Sequence, residues 1–460
     1  ERFKARLVAR GFTQKADIDY TETFAPVATH ATFRSVLTLA AHRGWKANHW
    51  DIKTAFLYAD LQEEVYIEPP IGFAETDEVW RLNKSLYGLK QAPHCWNQKL
   101  TELLLEYGLK QSTADQSLFF SDDLILVVYV DDILIAYKSD LDRQKCFDYL
   151  RTHVEVKELG SISKYLGMRV TQTDRAFYID QEQYITELAE RLNISSGSRD
   201  NTPLPSGIKP LIEQDNDQLS DQPIRMLIGS LMYLTNTRPD IQSSVSLVSR
   251  FMHKPTKQLW KSTLSILRYL IKTKETKLKL DGRDTDTIKC YTDADYANDL
   301  DRKSQSGYVI MLGKSPVMWH SKKQSTVALS TTEAETSAMT SGVSDALWLQ
   351  ELLQELNHKT PVIAFGDNKP STQLANNRNS SQRSKQLEIK VAYLRDLATK
   401  GEITIQHIPG VLQIADALTK PLPRQFDVTA LGLVRDQGAC QLTIPNSVNG
   451  TLSVDSTVPN

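Results

Sequence analysis

The chain has 460 residues, enough for two to four domains, and its 40% hydrophobic and 24% charged residues are ordinary for a soluble protein. A formal net charge of −2 does not by itself predict a nucleic-acid-binding protein. No apolar run is long enough to span a membrane, no signal peptide is visible, and the four cysteines lack the spacing of a metal site or a disulfide framework. We therefore expect a reduced, intracellular protein without a membrane segment.

The chain begins with a basic strand-like stretch, which is followed by a predicted helix and by a strand that ends in an aspartate. The stretch from Lys4 to Arg10 alternates in the manner of a strand, which would put Lys4 and Arg6 on one face. The segment Thr32–Trp45 has helical periodicity. A short strand follows this helix and ends at Asp51.

Two adjacent carboxylates lie between apolar runs in the stretch Leu124–Ala136. The runs predict two buried strands that reverse at Asp131 and Asp132. One interpretation is an acidic turn, as we expect for the similar pair in Ser121–Asp123. The other is that a divalent cation relieves the repulsion, and oxygen-only ligands suit Mg²⁺. A site for two cations would need a further carboxylate from another strand, and Asp51 could supply it.

The middle of the chain is predicted to pass from a strand pair to a polar linker and then to helices. Lys164–Val170 and Phe177–Ile179 predict a strand pair, and the apolar pattern is then lost in Ser195–Pro223, which predicts a linker. Arg225–Lys272 is predicted to be helical. The basic residues clustered between residues 254 and 279 could follow phosphates, although a solvated helix face explains them about as well.

A new unit with strands and one long helix begins at Ile288. Asp293 and Asp367 each end a predicted strand, and Glu335 lies in the first turns of the long helix, which has a capping-type start. After Arg424 the pattern is irregular, which predicts a flexible tail.

Several stretches in order resemble the reverse transcriptase and ribonuclease H region of copia-type LTR retrotransposon Pol polyproteins. The box Tyr129-Val-Asp-Asp132 is similar to the catalytic box of reverse transcriptases. The other matching stretches are Lys4-Ala-Arg-Leu-Val-Ala-Arg-Gly11, Thr23-Phe-Ala-Pro-Val27, Asp51-Ile-Lys-Thr-Ala-Phe56, Glu64-Val-Tyr-Ile-Glu-Pro-Pro70 and Ser85-Leu-Tyr-Gly-Leu-Lys-Gln-Ala-Pro93.

This resemblance implies roles around the acidic hairpin. Asp51, Asp131 and Asp132 would hold two Mg²⁺, for which Mn²⁺ is a substitute. Phe56 would stack on the deoxyribose and exclude a 2′-hydroxyl, with a core aromatic as the alternative. Lys4 and Arg6 would contact the triphosphate, with a solvated face as the alternative. The remaining substrate-binding positions are Gly88, Lys90, Gln91 and Tyr129, and Tyr165–Met168 is similar to the primer grip.

The C-terminal unit resembles ribonuclease H in the order of its strands, its helix and its acidic residues. The resemblance implies four ligands for two further Mg²⁺, namely Asp293, Glu335, Asp367 and Asp416. His407 would occupy the position of a mobile histidine that helps product release, and an ordinary strand-end histidine is the alternative.

Three neighbouring acids compete with these ligands. Asp295 shares a strand face with Asp293, so the choice between them rests on the resemblance. Glu333 and Glu335 differ by about 200° around a helix, so both cannot face the site. Glu388 lies in a segment that departs from the family, and Asp416 is preferred as the fourth ligand. Other departures are Thr336 for Tyr, Gly366 for Cys and Tyr58-Ala-Asp60 for Asn-Gly-Asp.

We therefore predict an RNA-directed DNA polymerase with a ribonuclease H that degrades the RNA of the hybrid. Its fold class would combine α+β and α/β parts. Residues 1–195 would be fingers and palm with the acidic β-hairpin, residues 196–285 a linker and helical thumb or connection, residues 286–423 a ribonuclease H-like mixed sheet with flanking helices, and residues 424–460 a tail.

The expected partners are an RNA template, a DNA primer, the RNA/DNA hybrid and dNTPs. Integrase and protease motifs are absent, and the chain opens at Glu1 directly into a strand-like pattern, so we expect a piece of a longer polyprotein. Its expected place is the cytoplasm, in a virus-like particle, with entry into the nucleus as an option. One alternative is an inactive relic that only binds nucleic acid, and another is a structural subunit of a dimer.

Overall fold

The computed structural model of the chain describes residues 5–73, 78–197, 200–205, 221–253, 255–299, 301–376, 385–422 and 425–435. Lys4, most of the predicted linker and the tail after residue 435 lie outside the described residues. Within the described ranges, no helix combines the length and apolarity needed to cross a membrane.

The first unit is built on a six-stranded sheet. The helices and strands up to residue 192 are α1 (His30–Arg43), β1 (Lys46–Ile52), β2 (Tyr66–Ile67), β3 (Trp80–Arg81), α2 (Ala92–Glu106), β4 (Lys110–Gln111), β5 (Leu118–Phe120), β6 (Leu124–Tyr129), β7 (Asp132–Tyr137), α3 (Asp140–His153), β8 (Val156–Ser161), β9 (Lys164–Tyr165), β10 (Met168–Thr173), β11 (Ala176–Asp180) and α4 (Glu182–Leu192). The strand order in the six-stranded sheet is β4-β5-β6-β7-β1-β8.

The predicted helix and strand around Asp51 are confirmed. Thr29 caps α1 by accepting from the backbone N–H of Thr32, and Gly44 ends it with a φ of 66° in the left-handed region. The strand predicted from Lys4 to Arg10 is not found in residues 5–10. The backbone N–H of Ala9 donates to the Tyr87 carbonyl, but this one bond does not build a ladder.

The acidic hairpin consists of β6 and β7, and its turn lies one residue earlier than predicted. Tyr129 pairs with Asp132, so the two turn residues are Val130 and Asp131, and Asp132 is the first residue of β7. Val130 has a φ of 58°, which is costly for a β-branched residue. The Trp96 indole N–H donates to the Val130 carbonyl at 2.8 Å and so helps hold this strained turn.

A helical bundle and a second sheet follow. The bundle contains α5 (Ile224–Leu234), α6 (Gln242–Ser249) and α7 (Lys257–Lys272), and the next strand is β12 (Lys277–Asp281). Between α5 and α6, the buried Arg238 makes a two-bond ion pair with Asp240, and the Tyr269 hydroxyl on α7 donates to the same carboxylate at 2.6 Å. This network fixes the turn between the helices.

The C-terminal unit is a mixed five-stranded sheet with helices packed against it. The elements from residue 288 onwards are β13 (Ile288–Asp295), β14 (Gln305–Leu312), β15 (Ser315–Lys323), α8 (Thr331–Glu355), β16 (Val362–Gly366), α9 (Lys369–Asn376), α10 (Lys385–Thr399), β17 (Ile403–His407), α11 (Asp416–Thr419) and β18 (Leu433–Val434). The strand order in this sheet is β15-β14-β13-β16-β17. Strand β13 is antiparallel to β14 and parallel to β16.

The first and C-terminal units share one hydrophobic cluster. A single cluster of buried residues joins Phe33 and Leu37 of α1 to Leu349 and Leu353 of α8. Buried Arg34 extends this junction, because its guanidinium donates to the Asn236 carbonyl at 2.9 Å and to the carbonyl of Val317 in β15 at 2.8 Å. The first and last units therefore pack as one body.

The second sheet also crosses the predicted domain boundaries. Its order is β18-β12-β11-β10-β9, so palm strands, the strand after the bundle and a C-terminal strand lie side by side. The tail was predicted to be irregular from Arg424, but residues 425–435 include a 3₁₀ turn at Val428–Leu431 and strand β18. The predicted fold class is confirmed: an α+β unit with the acidic hairpin, a helical part and a mixed sheet with flanking helices.

Candidate active sites

The polymerase carboxylates meet at one edge of the first sheet. Asp51 near the end of β1 pairs with Asp132 at the start of β7, and the N–H of Ile52 donates to the Asp131 carbonyl at 2.9 Å. Burial raises the pKa of the Asp131 carboxyl above its usual range, and the charges of Asp132 and Asp51 raise it further. Because the charges of Asp132 and Asp51 add to the effect of burial on Asp131, the three acids interact electrostatically.

The predicted sugar gate lies beside this unit. Phe56 is half-buried in the 3₁₀ turn Ala55–Tyr58, and its ring meets that of Tyr87 edge-on with centroids 4.8 Å apart. Arg6 lies over the Tyr87 ring at 5.8 Å, and Asp131 and Asp51 contribute to the raised pKa of the Tyr87 phenol. Tyr87 was missed from sequence, although it stands in the family-like stretch 85–93.

The other predicted substrate residues of this stretch make contacts within the chain. The Lys90 ammonium donates to the Gln14 carbonyl at 3.0 Å, and the buried Gln91 amide donates to the Asp19 carbonyl at 2.9 Å. Gly88 has a φ of 92°, and a Cβ there would lie 2.1 Å from the Ala9 carbonyl oxygen. Only glycine allows the backbone at position 88 to come so close to Ala9. Together, Gly88, Lys90 and Gln91 hold the N-terminal segment against the palm.

Two aromatic residues predicted near the primer and substrate lie in or against the core. Tyr129 is half-buried and packs against the shared cluster. Tyr165 is buried, and its hydroxyl donates to the Val127 carbonyl at 3.2 Å. Tyr233 of α5 covers the turn after Tyr165 by donating to the Leu166 carbonyl at 2.7 Å.

The nuclease acids form the tightest acidic cluster in the part of the chain that the structure describes. One carboxylate oxygen from each of Asp293, Glu335 and Asp367 lies within 4.8 Å of the others. Burial raises the pKa of the Asp293 carboxyl to about 7 and that of Glu335 to about 9, and neighbouring carboxylates add to both shifts. Protons and cations therefore compete for these acids, and cation binding favours their ionised forms.

Oxygen-only ligands at this spacing fit a divalent cation such as Mg²⁺. Their mutual repulsion in a buried site is also what a cation would relieve. Asp51, Asp131 and Asp132, which all lie in the described ranges, offer the same kind of donors, but their carboxylate oxygens do not come within 4.8 Å of one another as a group.

Asp416 lies at the rim of the nuclease cluster. It begins α11, and its negative charge contributes to the raised pKa of Asp293. Lys420 lies one helical turn later, 3.1 Å from Asp416 and 3.7 Å from Asp293, and the Thr419 hydroxyl donates to Asp293. Sequence reasoning missed Thr419 and Lys420, although the i,i+4 spacing of Asp416 and Lys420 was a readable signal.

The competing acids have other contacts or positions. The Glu333 carboxylate accepts from the backbone N–H of Leu329 at 2.9 Å, so it caps the start of α8. Asp295 accepts from the Asn298 amide, and Glu388 is exposed on α10. His407 is exposed, with Nε2 3.1 Å from the Asp367 carbonyl oxygen, so it stands next to a proposed ligand.

Asp416→Asn should lower cleavage of RNA in a hybrid by roughly ten- to a hundredfold, the usual scale for weakened metal-site contacts. The negative charge of Asp416 acts on buried Asp293, whose pKa it helps to raise. Glu388 is instead exposed on the outer face of α10. Glu388→Gln should therefore change cleavage little. A labelled RNA/DNA hybrid assay ranks the two variants, and the reverse ranking would contradict Asp416 as the fourth ligand.

Two acidic sites on a palm-type sheet and a ribonuclease H-type sheet are typical of retroelement polymerases. A family model described as "Reverse transcriptase (RNA-dependent DNA polymerase)" matches residues 1–206. The chain is 37% identical over 442 residues to the retrovirus-related Pol polyprotein from transposon TNT 1-94 of Nicotiana tabacum, covering 92% of this chain and 33% of that protein. It is 35% identical over 298 residues to a transposon Ty5-1 protein of Saccharomyces cerevisiae, covering 62% of this chain and 96% of that protein.

Among solved structures, the foamy viral protease-reverse transcriptase in complex with double-stranded DNA aligns with 12% identity and a TM-score of 0.48, covering 84% of this chain and 60% of that one. On the sequence matches, the chain belongs to the family of retrovirus-related transposon Pol polyproteins and carries their reverse transcriptase region. It spans about a third of the length of the plant relatives it matches.

Proposed function

We propose that the chain is an RNA-directed DNA polymerase with a ribonuclease H that degrades the RNA strand of the resulting hybrid. The observation that carries this proposal is the presence of two separate acidic sites, one on the first sheet and one between the C-terminal sheet and helix α8. Family membership supports the first activity most directly.

In the polymerase site, Asp51, Asp131 and Asp132 would hold the divalent cations, most simply Mg²⁺ with Mn²⁺ as a substitute. Such cations activate the attacking oxygen and stabilise the leaving oxygen in phosphoryl transfer. The chain's own contribution is positioning: the strained Val130 turn and the β1–β7 pairing fix the three carboxylates relative to one another. Phe56 and Tyr87 would form the wall against the sugar of the incoming dNTP.

In the nuclease site, Asp293, Glu335 and Asp367 would hold cations, with Asp416 as the fourth ligand. Lys420 and Thr419 contact Asp293 and fix its orientation. Burial raises the pKa values of Asp293 and Glu335, so protons compete with cations for these acids at low pH. We therefore expect faster hybrid cleavage at neutral to basic pH than at acidic pH.

The direct test is extension of oligo(dT) on poly(rA) with Mg²⁺ by the purified chain. Incorporation of labelled dTTP supports the polymerase, whereas binding of the template–primer without incorporation supports the alternative of an inactive relic. Mass measurement with and without template–primer tests the alternative of a dimer subunit. For the full element we propose cytoplasmic particles as the site of synthesis, with nuclear entry of the product.

Phe56→Val should admit ribonucleotides, because a smaller side chain leaves room for a 2′-hydroxyl. We expect discrimination between dNTP and rNTP to fall by roughly tenfold or more, since small steric differences in a pocket carry energies of this size. Competing dTTP and UTP incorporation on poly(rA) measures the ratio.

Leu57→Val is the matched control, because Leu57 is the next residue and its side chain is exposed. Unchanged discrimination in Phe56→Val, together with a lower melting temperature, would identify Phe56 as a core aromatic instead of a gate.

A further inference from the structure

One histidine lies directly behind the polymerase carboxylates. His49 stands two residues before Asp51 on β1, so both side chains project from the same face of the sheet. On the neighbouring strand Asp51 pairs with Asp132, which puts His49 diagonal to that carboxylate. His49 Nε2 lies 2.9 Å from Asp132 Oδ1. Because an ionised carboxylate can only accept, the ring N–H donates this hydrogen bond.

The histidine ring is itself held in place by the core. The His49 side chain is 12% exposed, and its ring meets the Tyr165 ring edge-on with centroids 5.6 Å apart. Tyr165 is buried, stacks on Phe33 at 4.9 Å and donates its hydroxyl to the Val127 carbonyl. A rigid chain of contacts thus runs from the core to one oxygen of Asp132.

We infer that His49 is a positioning residue for the polymerase metal site. By occupying Oδ1 it fixes the rotamer of Asp132 and leaves the second oxygen for a divalent cation shared with Asp51 and Asp131. This inference rests on the proposed function of the acidic edge. Groups that orient metal ligands in this way typically change metal affinity or activity about ten- to a hundredfold when they are removed.

Two amide substitutions of His49 distinguish the effect of its hydrogen bond to Asp132 from the effect of a polar side chain that only fills the same space. In His49→Gln the side-chain amide nitrogen can reach nearly the position of Nε2, so the donor to Asp132 is kept. In His49→Asn the amide is one bond shorter and reaches only the position of Nδ1, so the donor is lost. Both variants are neutral, polar and smaller than histidine, which makes them a matched pair.

The first readout is the Mg²⁺ concentration that gives half-maximal primer extension. We expect it to rise about tenfold in His49→Asn and to stay near that of the unaltered chain in His49→Gln. Hybrid cleavage by the nuclease site should be equal in all three proteins, because the contacts of His49 with Asp132 and Tyr165 lie outside the nuclease sheet. Loss of cleavage in parallel with extension would indicate general misfolding and overturn the proposal.

The second readout does not depend on activity. Mn²⁺ binding is measured by electron paramagnetic resonance in an Asp293→Asn, Glu335→Gln background, which removes two nuclease ligands. We expect weaker Mn²⁺ binding in His49→Asn than in His49→Gln. If the unaltered chain fails to extend primers, the proposed function fails, and this measurement still decides the role of His49. Equal Mn²⁺ affinity in the two variants would overturn it.

Discussion

Asp131→Asn should reduce primer extension by roughly a hundredfold or more, the scale observed when one preorganised electrostatic contact to a transition state is lost. The substitution keeps the shape of the side chain and removes one of the three charges that would hold the cations. It also removes a carboxylate whose pKa is raised by burial and by the charges of Asp132 and Asp51, so the folded state should not lose stability. Extension on poly(rA)/oligo(dT) and a thermal melt measure the two effects.

The chain offers its own control for this variant. Asp122 belongs to the other acidic turn, at the far end of β6, where its carboxylate accepts from the Asn357 amide at 3.2 Å. Asp122→Asn changes the same residue type next to the same strand and should leave extension unchanged. Wild-type extension rates in Asp131→Asn would show that the acidic hairpin is not the metal site.

Glu335→Gln should abolish cleavage of RNA in a hybrid and spare DNA synthesis on an RNA template. Its carboxylate is one of three within 4.8 Å, whereas the polymerase acids lie in a different sheet. We again expect a loss of roughly a hundredfold or more. The melting temperature should stay equal or rise, because a buried acid destabilised by its neighbours is replaced by a neutral amide.

Glu333→Gln serves as the comparison for this variant. Glu333 lies two residues earlier on α8 and caps the helix start, so its loss should lower stability slightly without removing cleavage. Cleavage that survives in Glu335→Gln would contradict the ligand assignment, and a loss of DNA synthesis in that variant would contradict two independent sites.

The acidic residues were readable from sequence because each follows a recognisable local pattern. Asp51, Asp293 and Asp367 come at or near the ends of strands, and Glu335 follows a helix-capping start, so local patterns narrow the candidates to these acids and their neighbours Asp295 and Glu333. Their assembly into two sites came from the resemblance to a family, since periodicity does not say which strand ends meet.

Local details depended on contacts between distant segments. The hairpin turn lies at Val130 because the Trp96 indole and the β1 edge hold its carbonyls, and neither contact is visible in the sequence around the turn. His49 is placed beside Asp132 by the pairing of β1 with β7, and Tyr87 lies in a turn where it contacts Phe56 and Arg6. Such pairings are what single-sequence reasoning cannot supply.

The predicted separation into units followed composition, and composition does not report on packing. The segment that reads as a linker does separate the palm from the helical bundle along the chain, yet α1 and α8 share one core across more than 300 residues of sequence. Buried Arg34 is the clearest sign of this junction, because it bonds to the bundle and to the nuclease sheet at once.

The shared core constrains how such a chain can lose an activity. A point change at a carboxylate can silence one site and leave the packing intact. Deleting the nuclease half would instead uncover the apolar surface around Phe33 and Leu37, and a nuclease fragment alone would bare Leu349 and Leu353. Each half therefore needs the other to keep its apolar surface covered, in addition to any need for both activities. A degenerating copy of this chain should accumulate substitutions in one site long before it tolerates truncation between the halves.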